Sequence, residues 1–157
     1  MKKFDPTDMY VYTKIFIRLC KQTSISPLCI AIVLLSCTDL SLEELVTLDW
    51  YDLDIKNQVL YVHGENPRRF WLSQDLIRFL LYYRCCYNEK LGNVKFYDSG
   101  RIVCSNYGTN YTEYQLSEKW FKYIRKDNFK NVLSLEDIAD MVSEDINNIN
   151  IYATLIP

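Results

Sequence analysis

Apolar and polar positions alternate with a helical period over most of the chain and with a strand period over one short stretch. Between Thr7 and Lys21, apolar residues at 9, 12, 16, 17, 19 and 20 are interleaved with Lys14, Arg18 and Lys21, which predicts an amphipathic helix. Ser26-Pro27 opens a second helix, "LCIAIVLLSC", that is apolar all round and therefore belongs inside the molecule. Ser41 followed by Glu44 has the spacing of a capping box, so a short helix runs from Leu42 to about Thr47 and turns Leu42, Leu45 and Leu48 toward the core. From Asp54 the period changes. "DIKNQVLYVHG" reads as a hairpin turning at Lys56-Asn57-Gln58, and "RRFWLS" as a third strand. A helix from about Gln74 to Tyr87 follows, with Leu76, Phe79, Leu80 and Tyr83 on one side. "KFYDSGRIVCSNYGTN" is irregular, Glu113 to Arg125 is helical, and Ser134-x-x-Asp137 starts a helical region that ends near Tyr152. The expected class is mainly α with a small three-stranded antiparallel sheet.

Composition narrows this picture. A chain of 157 residues with 49% hydrophobic and 24% charged positions has the size and apolar content of one domain, 1–157. Its longest uncharged apolar run, Leu28 to Cys37, falls far short of the roughly 20 residues that cross a bilayer as a helix. "MKKFDPTDMY" lacks the apolar segment of a secretory signal, so a cytoplasmic location and no membrane partner are expected. Cys20, Cys29, Cys37, Cys85, Cys86 and Cys104 form no CxxC pair and read as reduced thiols. With His63 as the single histidine, no metal site is expected, and no motif calls for a cofactor. A formal charge of −2 excludes a protein coated in basic surface, so any grip on a phosphate backbone has to be local.

Two segments carry a resemblance. "IVLLSCTDLSLEELVTLDWYDLDIKNQVLYVHGENPRRFWLS" and "LSLEDIADMVSEDINNINIYATL" resemble the opening and closing parts of the catalytic domain of tyrosine recombinases, the phage-integrase family. The resemblance implies that fold, with the interval between Tyr114 and Ser134 shortened by one helical segment, and without the N-terminal domain that active members close around DNA. It also implies a set of roles: two arginines, a hairpin lysine and histidines hold the scissile phosphate while a tyrosine attacks phosphorus. Oriented cations matter there because charge develops on the phosphoryl oxygens. In this chain the first arginine position aligns with Ser41. The "HxxR" segment is deleted, or replaced by Glu118 and Phe121. A later histidine aligns with Ser143, and the hairpin lysine falls near Asn66, with Arg68 or Arg69 as substitutes. Tyr152 alone matches the nucleophile position, so the resemblance implies a domain that has kept a vestigial nucleophile and lost its cations.

The basic residues supply the remaining candidates. Lys119, Lys122 and Lys126 fall at i, i+3 and i+7, with Arg125 and Lys130 nearby and Trp120, Phe121 and Tyr123 interleaved. Arg68-Arg69 is a second, shorter cluster. The expected function is that of a non-catalytic, recombinase-like regulator from a prophage or other mobile element, which binds duplex DNA weakly, or a full-length recombinase or another phage regulator. The alternatives are an interaction module that never touches DNA, and a strand-transfer enzyme with unorthodox residues.

Overall fold

The structure, a computed structural model, describes residues 5–21, 26–91, 100–105, 109–124 and 132–146. Its elements follow the order read from the periodicity: α1 (Pro6–Cys20), α2 (Pro27–Cys37), α3 (Leu42–Thr47), a 3-10 turn (Trp50–Asp52), β1 (Leu53–Asp54), β2 (Val59–Val62), β3 (Arg68–Trp71), α4 (Gln74–Leu91), α5 (Glu113–Ile124) and α6 (Leu135–Ile146). The sheet is antiparallel in the order β1-β2-β3, with Leu53 opposite Leu60, and Tyr61 opposite Arg69.

The all-apolar helix is the centre of the domain. Every residue of α2 from Pro27 to Leu35 is buried, and α1, α3 and α6 pack around it. A helix with no polar face has no side to give to water, so it needs neighbours on several sides. Ser26 caps its first turn by accepting from the Leu28 N–H at 3.2 Å. Besides the packing of α6 on α2, a short segment before α6 ties the C-terminal part of the chain to the N-terminal part. The Leu133 N–H donates to the Tyr12 hydroxyl at 3.1 Å and its carbonyl accepts from the Trp120 indole at 2.8 Å. Both aromatic side chains are thus buried with their polar tips satisfied.

Helix boundaries differ from the sequence reading in two places. α1 starts one residue earlier, because Asp5 accepts from the Thr7 N–H at 2.8 Å and so serves as N-cap, with Pro6 in the first turn. α4 runs on to Leu91; the sequence offers no glycine or proline to stop it before Gly92. The helical piece expected to end near Tyr152 lies partly outside the described residues, which stop at Ile146 within α6.

The hairpin turn falls where it was expected, over residues 55–58. Asp54 accepts from the Asn57 backbone N–H at 3.0 Å and from its side-chain amide at 2.8 Å, forming a local cage around the turn. A segment with little regular structure of its own, residues 100–104, is stitched beside the Leu48–Trp50 stretch: the Trp50 N–H donates to the Gly100 carbonyl at 2.8 Å and the Ile102 N–H to the Leu48 carbonyl at 3.0 Å. Gly100 has a φ of +35°, and a Cβ there would stand 2.8 Å from the Asp49 carboxylate. Only glycine satisfies both conditions.

Candidate nucleic-acid interface

Ser41 is an N-cap. Its hydroxyl accepts from the Glu44 N–H at 3.1 Å, while Glu44 Oε1 accepts from the Ser41 N–H at 3.0 Å, so the capping box is complete. The same Glu44 carboxylate reaches across to the start of β3. Arg68 Nη2 donates to Glu44 Oε1 at 2.8 Å and Arg68 Nη1 to Glu44 Oε2 at 2.7 Å, the two-pronged geometry that suits a guanidinium facing a carboxylate.

The remaining donors of Arg68 are also engaged. Nε donates to Asp39 Oδ1 at 2.8 Å, Nη1 to the Asn66 carbonyl at 2.9 Å, and Nη2 to the Asp39 carbonyl at 3.4 Å. A guanidinium has five N–H bonds, and this one has a partner for each. Arg68 also stacks over Phe70, 5.5 Å from the ring centre. The hydrogen bonds from Arg68, followed by that from the Ser41 backbone, lower the pKa of Glu44 to about 2, and the two carboxylates push that of Arg68 further up. One cation flanked by Glu44 and Asp39 leaves this corner with a local excess of negative charge.

Arg69 has the opposite surroundings. It stands exposed on the outer face of the sheet, opposite Tyr61 and two pairs along from Val59 and Trp71 on the same face. Among the described residues it forms no ion pair. Trp71 is 71% exposed, an unusual condition for the largest apolar side chain, and Tyr61 is 38% exposed.

The third region is α5, whose two faces separate cleanly. Leu116, Trp120 and Ile124 are buried. Lys119 and Lys122 lie on the other side and line a cleft of about 440 Å³, together with Gln115, Glu118 and the 109–111 segment. Lys119 sits over the Tyr111 ring, 5.8 Å from its centre, and makes no ion pair among the described residues. Lys122 is paired with Glu118 one turn back at 3.1 Å. The helix also starts with a complete capping box, in which the Thr112 N–H donates to Gln115 Oε1 at 3.0 Å and the Gln115 N–H to Thr112 Oγ1 at 3.1 Å. That pattern, T-x-x-Q, is the sequence signature of such a helix start.

The other candidates divide as follows. Ser143 is half-buried on α6 and donates to the Asp140 carbonyl at 2.8 Å, one turn earlier. Arg125, Lys126, Lys130 and Tyr152 lie outside the described residues. His63 is exposed, with Nε2 3.0 Å from an Asp52 carboxylate oxygen. Asp39 and the second role of Glu44, as holders of Arg68, carried no sequence signal, and neither did Arg101, whose guanidinium donates to the Thr47 carbonyl at the end of α3. No group of three or more histidine, cysteine, aspartate or glutamate side chains among the described residues is arranged to hold a metal. No described helix is long and apolar enough to cross a membrane.

With this geometry in view, the comparison with solved structures identifies the architecture. The chain superimposes on the crystal structure of XerA recombinase with a TM-score of 0.63, over 99% of its own length and 56% of that protein, at 14% identity. It therefore has a recombinase-like fold: mainly helical, with a three-stranded antiparallel sheet. It spans little more than half the length of the recombinase it matches. No protein-family description and no curated protein matches the sequence.

Proposed function

We propose that this protein is a non-catalytic, recombinase-like regulator that acts by binding, with Lys119 and its neighbours on α5 as the contact to duplex DNA. The observation that carries the reading is the saturation of Arg68. A phosphoryl transition state is stabilised by cations whose donors point at the developing charge. The guanidinium of Arg68, paired with the Glu44 that forms a capping box with Ser41, spends its five donors on Glu44, Asp39 and Asn66. A phosphate arriving there would have to displace carboxylates held in a two-pronged pair, against their charge. In effect, Glu44 occupies the role a phosphate would take. Serine at 41 is committed to capping α3 and offers no charge.

Lys119 and Lys122 supply what binding remains. Lys119 carries no carboxylate partner among the described residues, and Tyr111 beside it presents an aromatic face at the cleft. Two such contacts give weak, mostly non-specific affinity that falls as salt rises, because each neutralised phosphate releases condensed counterions. Control of recombination or gene expression in a prophage or related element would then depend on a second weak contact, to another copy or to a full-length recombinase, multiplying the first through effective concentration.

The test is a nicked suicide duplex that traps any covalent tyrosine–DNA intermediate. The expected result is no adduct. An adduct that disappears in Tyr152→Phe would make the protein an unorthodox strand-transfer enzyme instead. A second reading, a protein-interaction module without DNA binding, draws on the outer sheet face, where Tyr61, Arg69 and Trp71 are of the residue types that dominate protein–protein hot spots. Absence of duplex binding at about 50 mM salt, where phosphate contacts are strongest, selects that reading.

A further inference from the structure

The sulfurs of Cys20 and Cys29 approach to 2.7 Å in the interior of the domain. Cys20 closes α1 and Cys29 lies in the first turn of α2, so the pair spans the connection between the first two helices. Both side chains are buried, and both are thiols in this structure. The separation is shorter than the roughly 3.5–4.0 Å at which even carbon atoms rest against each other. It lies only about 0.7 Å beyond a sulfur–sulfur bond. Two thiols pressed this closely in an apolar interior are positioned for one reaction above others.

We propose that Cys20 and Cys29 are an oxidative cross-linking site, converted to an intramolecular disulfide by thiol exchange with a small disulfide such as oxidised glutathione. Cys20 is the entry sulfur. It stands in the last turn of a helix, where the backbone frays most readily, next to the exposed Lys21. Cys29 is fully buried in α2, where burial raises its pKa and slows attack on any disulfide in solution, so it is the resolving thiol, with its sulfur 2.7 Å from that of Cys20. In the first step Cys20 gives up its proton and its sulfur attacks one sulfur of glutathione disulfide; that bond breaks and one glutathione leaves as the thiol. In the second, the Cys29 sulfur attacks Cys20, gives up its proton, and expels the other glutathione as a thiol. Two protein thiols are oxidised and one glutathione disulfide is reduced, with no atoms unaccounted for.

The consequence is mechanical. α2 is the centre around which α1, α3 and α6 pack, so a bond from α1 into its first turn restrains the core without touching either basic region. Cross-linking residues nine apart removes freedom from the unfolded chain and should raise the thermal midpoint by about 5 °C. This site is independent of the DNA-binding reading and stands or falls separately.

The experiment uses the full chain incubated with oxidised glutathione, alkylated, and digested without reduction. The expected result is a Cys20–Cys29 linked peptide, a loss from the intact protein of the mass of two hydrogen atoms, and a higher thermal midpoint that dithiothreitol reverses. Because Cys20→Ser or Cys29→Ser can disturb packing, a Cys37→Ser, Cys85→Ser variant that retains the pair is run alongside and should still form the link. Linkage through any other cysteine, glutathione left attached to Cys20 without resolution, or no change in mass overturns the proposal.

Discussion

Arg68 and Lys119 each lie against a half-buried aromatic ring, and they differ in the anions that the fold brings to them. Arg68 was offered by the sequence as a substitute for a phosphate-binding lysine; in the structure it is the hub of an internal network joining the loop before α3, α3 itself and the hairpin. Lys119 is half-buried on a helix whose other face is pinned by Trp120, and it lies over a tyrosine ring without an ion pair among the described residues. A cation becomes part of the scaffold when the fold brings it anions, and keeps its charge unanswered when it does not. The number of positive residues in a segment therefore says little until the long-range neighbours are known.

The largest expected effect comes from removing the support under the open side. Trp120 is fully buried and its indole donates to the Leu133 carbonyl. Trp120→Ala should cost about 3–5 kcal/mol, lowering the midpoint of thermal unfolding by roughly 10 °C. A change of only a degree or two would mean that α5 is not anchored as described.

The comparison itself is sharpened by exchanging the two perturbations. Arg68→Ala should lower the thermal midpoint, because Glu44 and Asp39 lose their shared counter-ion, while leaving duplex affinity and its salt dependence unchanged. Lys119→Glu should do the reverse: an unaltered midpoint, weaker binding, and a log-affinity versus log-salt slope shallower by about 0.9. Fluorescence anisotropy at several salt concentrations, with thermal melts of the same samples, reads both. If Arg68→Ala flattens the salt slope, the corner is a DNA contact and the division drawn here is wrong.

The closed corner also predicts a pH dependence. Arg68 lowers the Glu44 pKa from 4.5 to about 2. A carboxylate with a depressed folded-state pKa contributes stability that is fully present above its unfolded value and is lost as pH falls through the folded one. Stability should therefore decline between pH 4.5 and about 2, and Glu44→Gln should remove part of that slope while leaving the rest. Urea unfolding at a series of pH values measures it. Equal slopes for the two proteins would show that the Glu44–Arg68 pair contributes nothing.

Much of the scaffold was legible because its signals are local. The Ser41-to-Glu44 capping box, the turn at residues 55–58 and the buried Leu42, Leu45 and Leu48 all follow from spacings of a few residues, and each stands where it was read. The site was less legible for the opposite reason. Asp39 and Glu44 precede Arg68 by 29 and 24 residues, and nothing in local periodicity says that the hairpin will deliver the arginine to them. Glu44 was read as a capping residue, which it is, and its second role on the other carboxylate oxygen had no sequence signature. The Glu118–Lys122 pair was different: its spacing of four was visible, but the basic residues were counted as a cluster without subtracting the acid among them.

That acid supplies the smallest expected effect, and it tests whether α5 is as open as Lys119 suggests. Glu118 and Lys122 lie 3.1 Å apart with both side chains substantially exposed, so the pair is worth only about 0.3–0.5 kcal/mol to the helix. Its influence on binding is the more informative quantity. While Lys122 faces Glu118, part of its charge is already answered, and a phosphate must compete with that carboxylate. Glu118→Gln keeps the size of the side chain and removes the competitor, so stability should change by no more than a few tenths of a kcal/mol. Duplex binding should tighten modestly, with the salt slope steeper by up to about 0.9 as Lys122 becomes a full contact. The same substitution combined with Lys122→Ala should abolish that gain. If Glu118→Gln strengthens binding equally with and without Lys122, the effect is one of net charge alone, and Lys119 remains the described contact on this face.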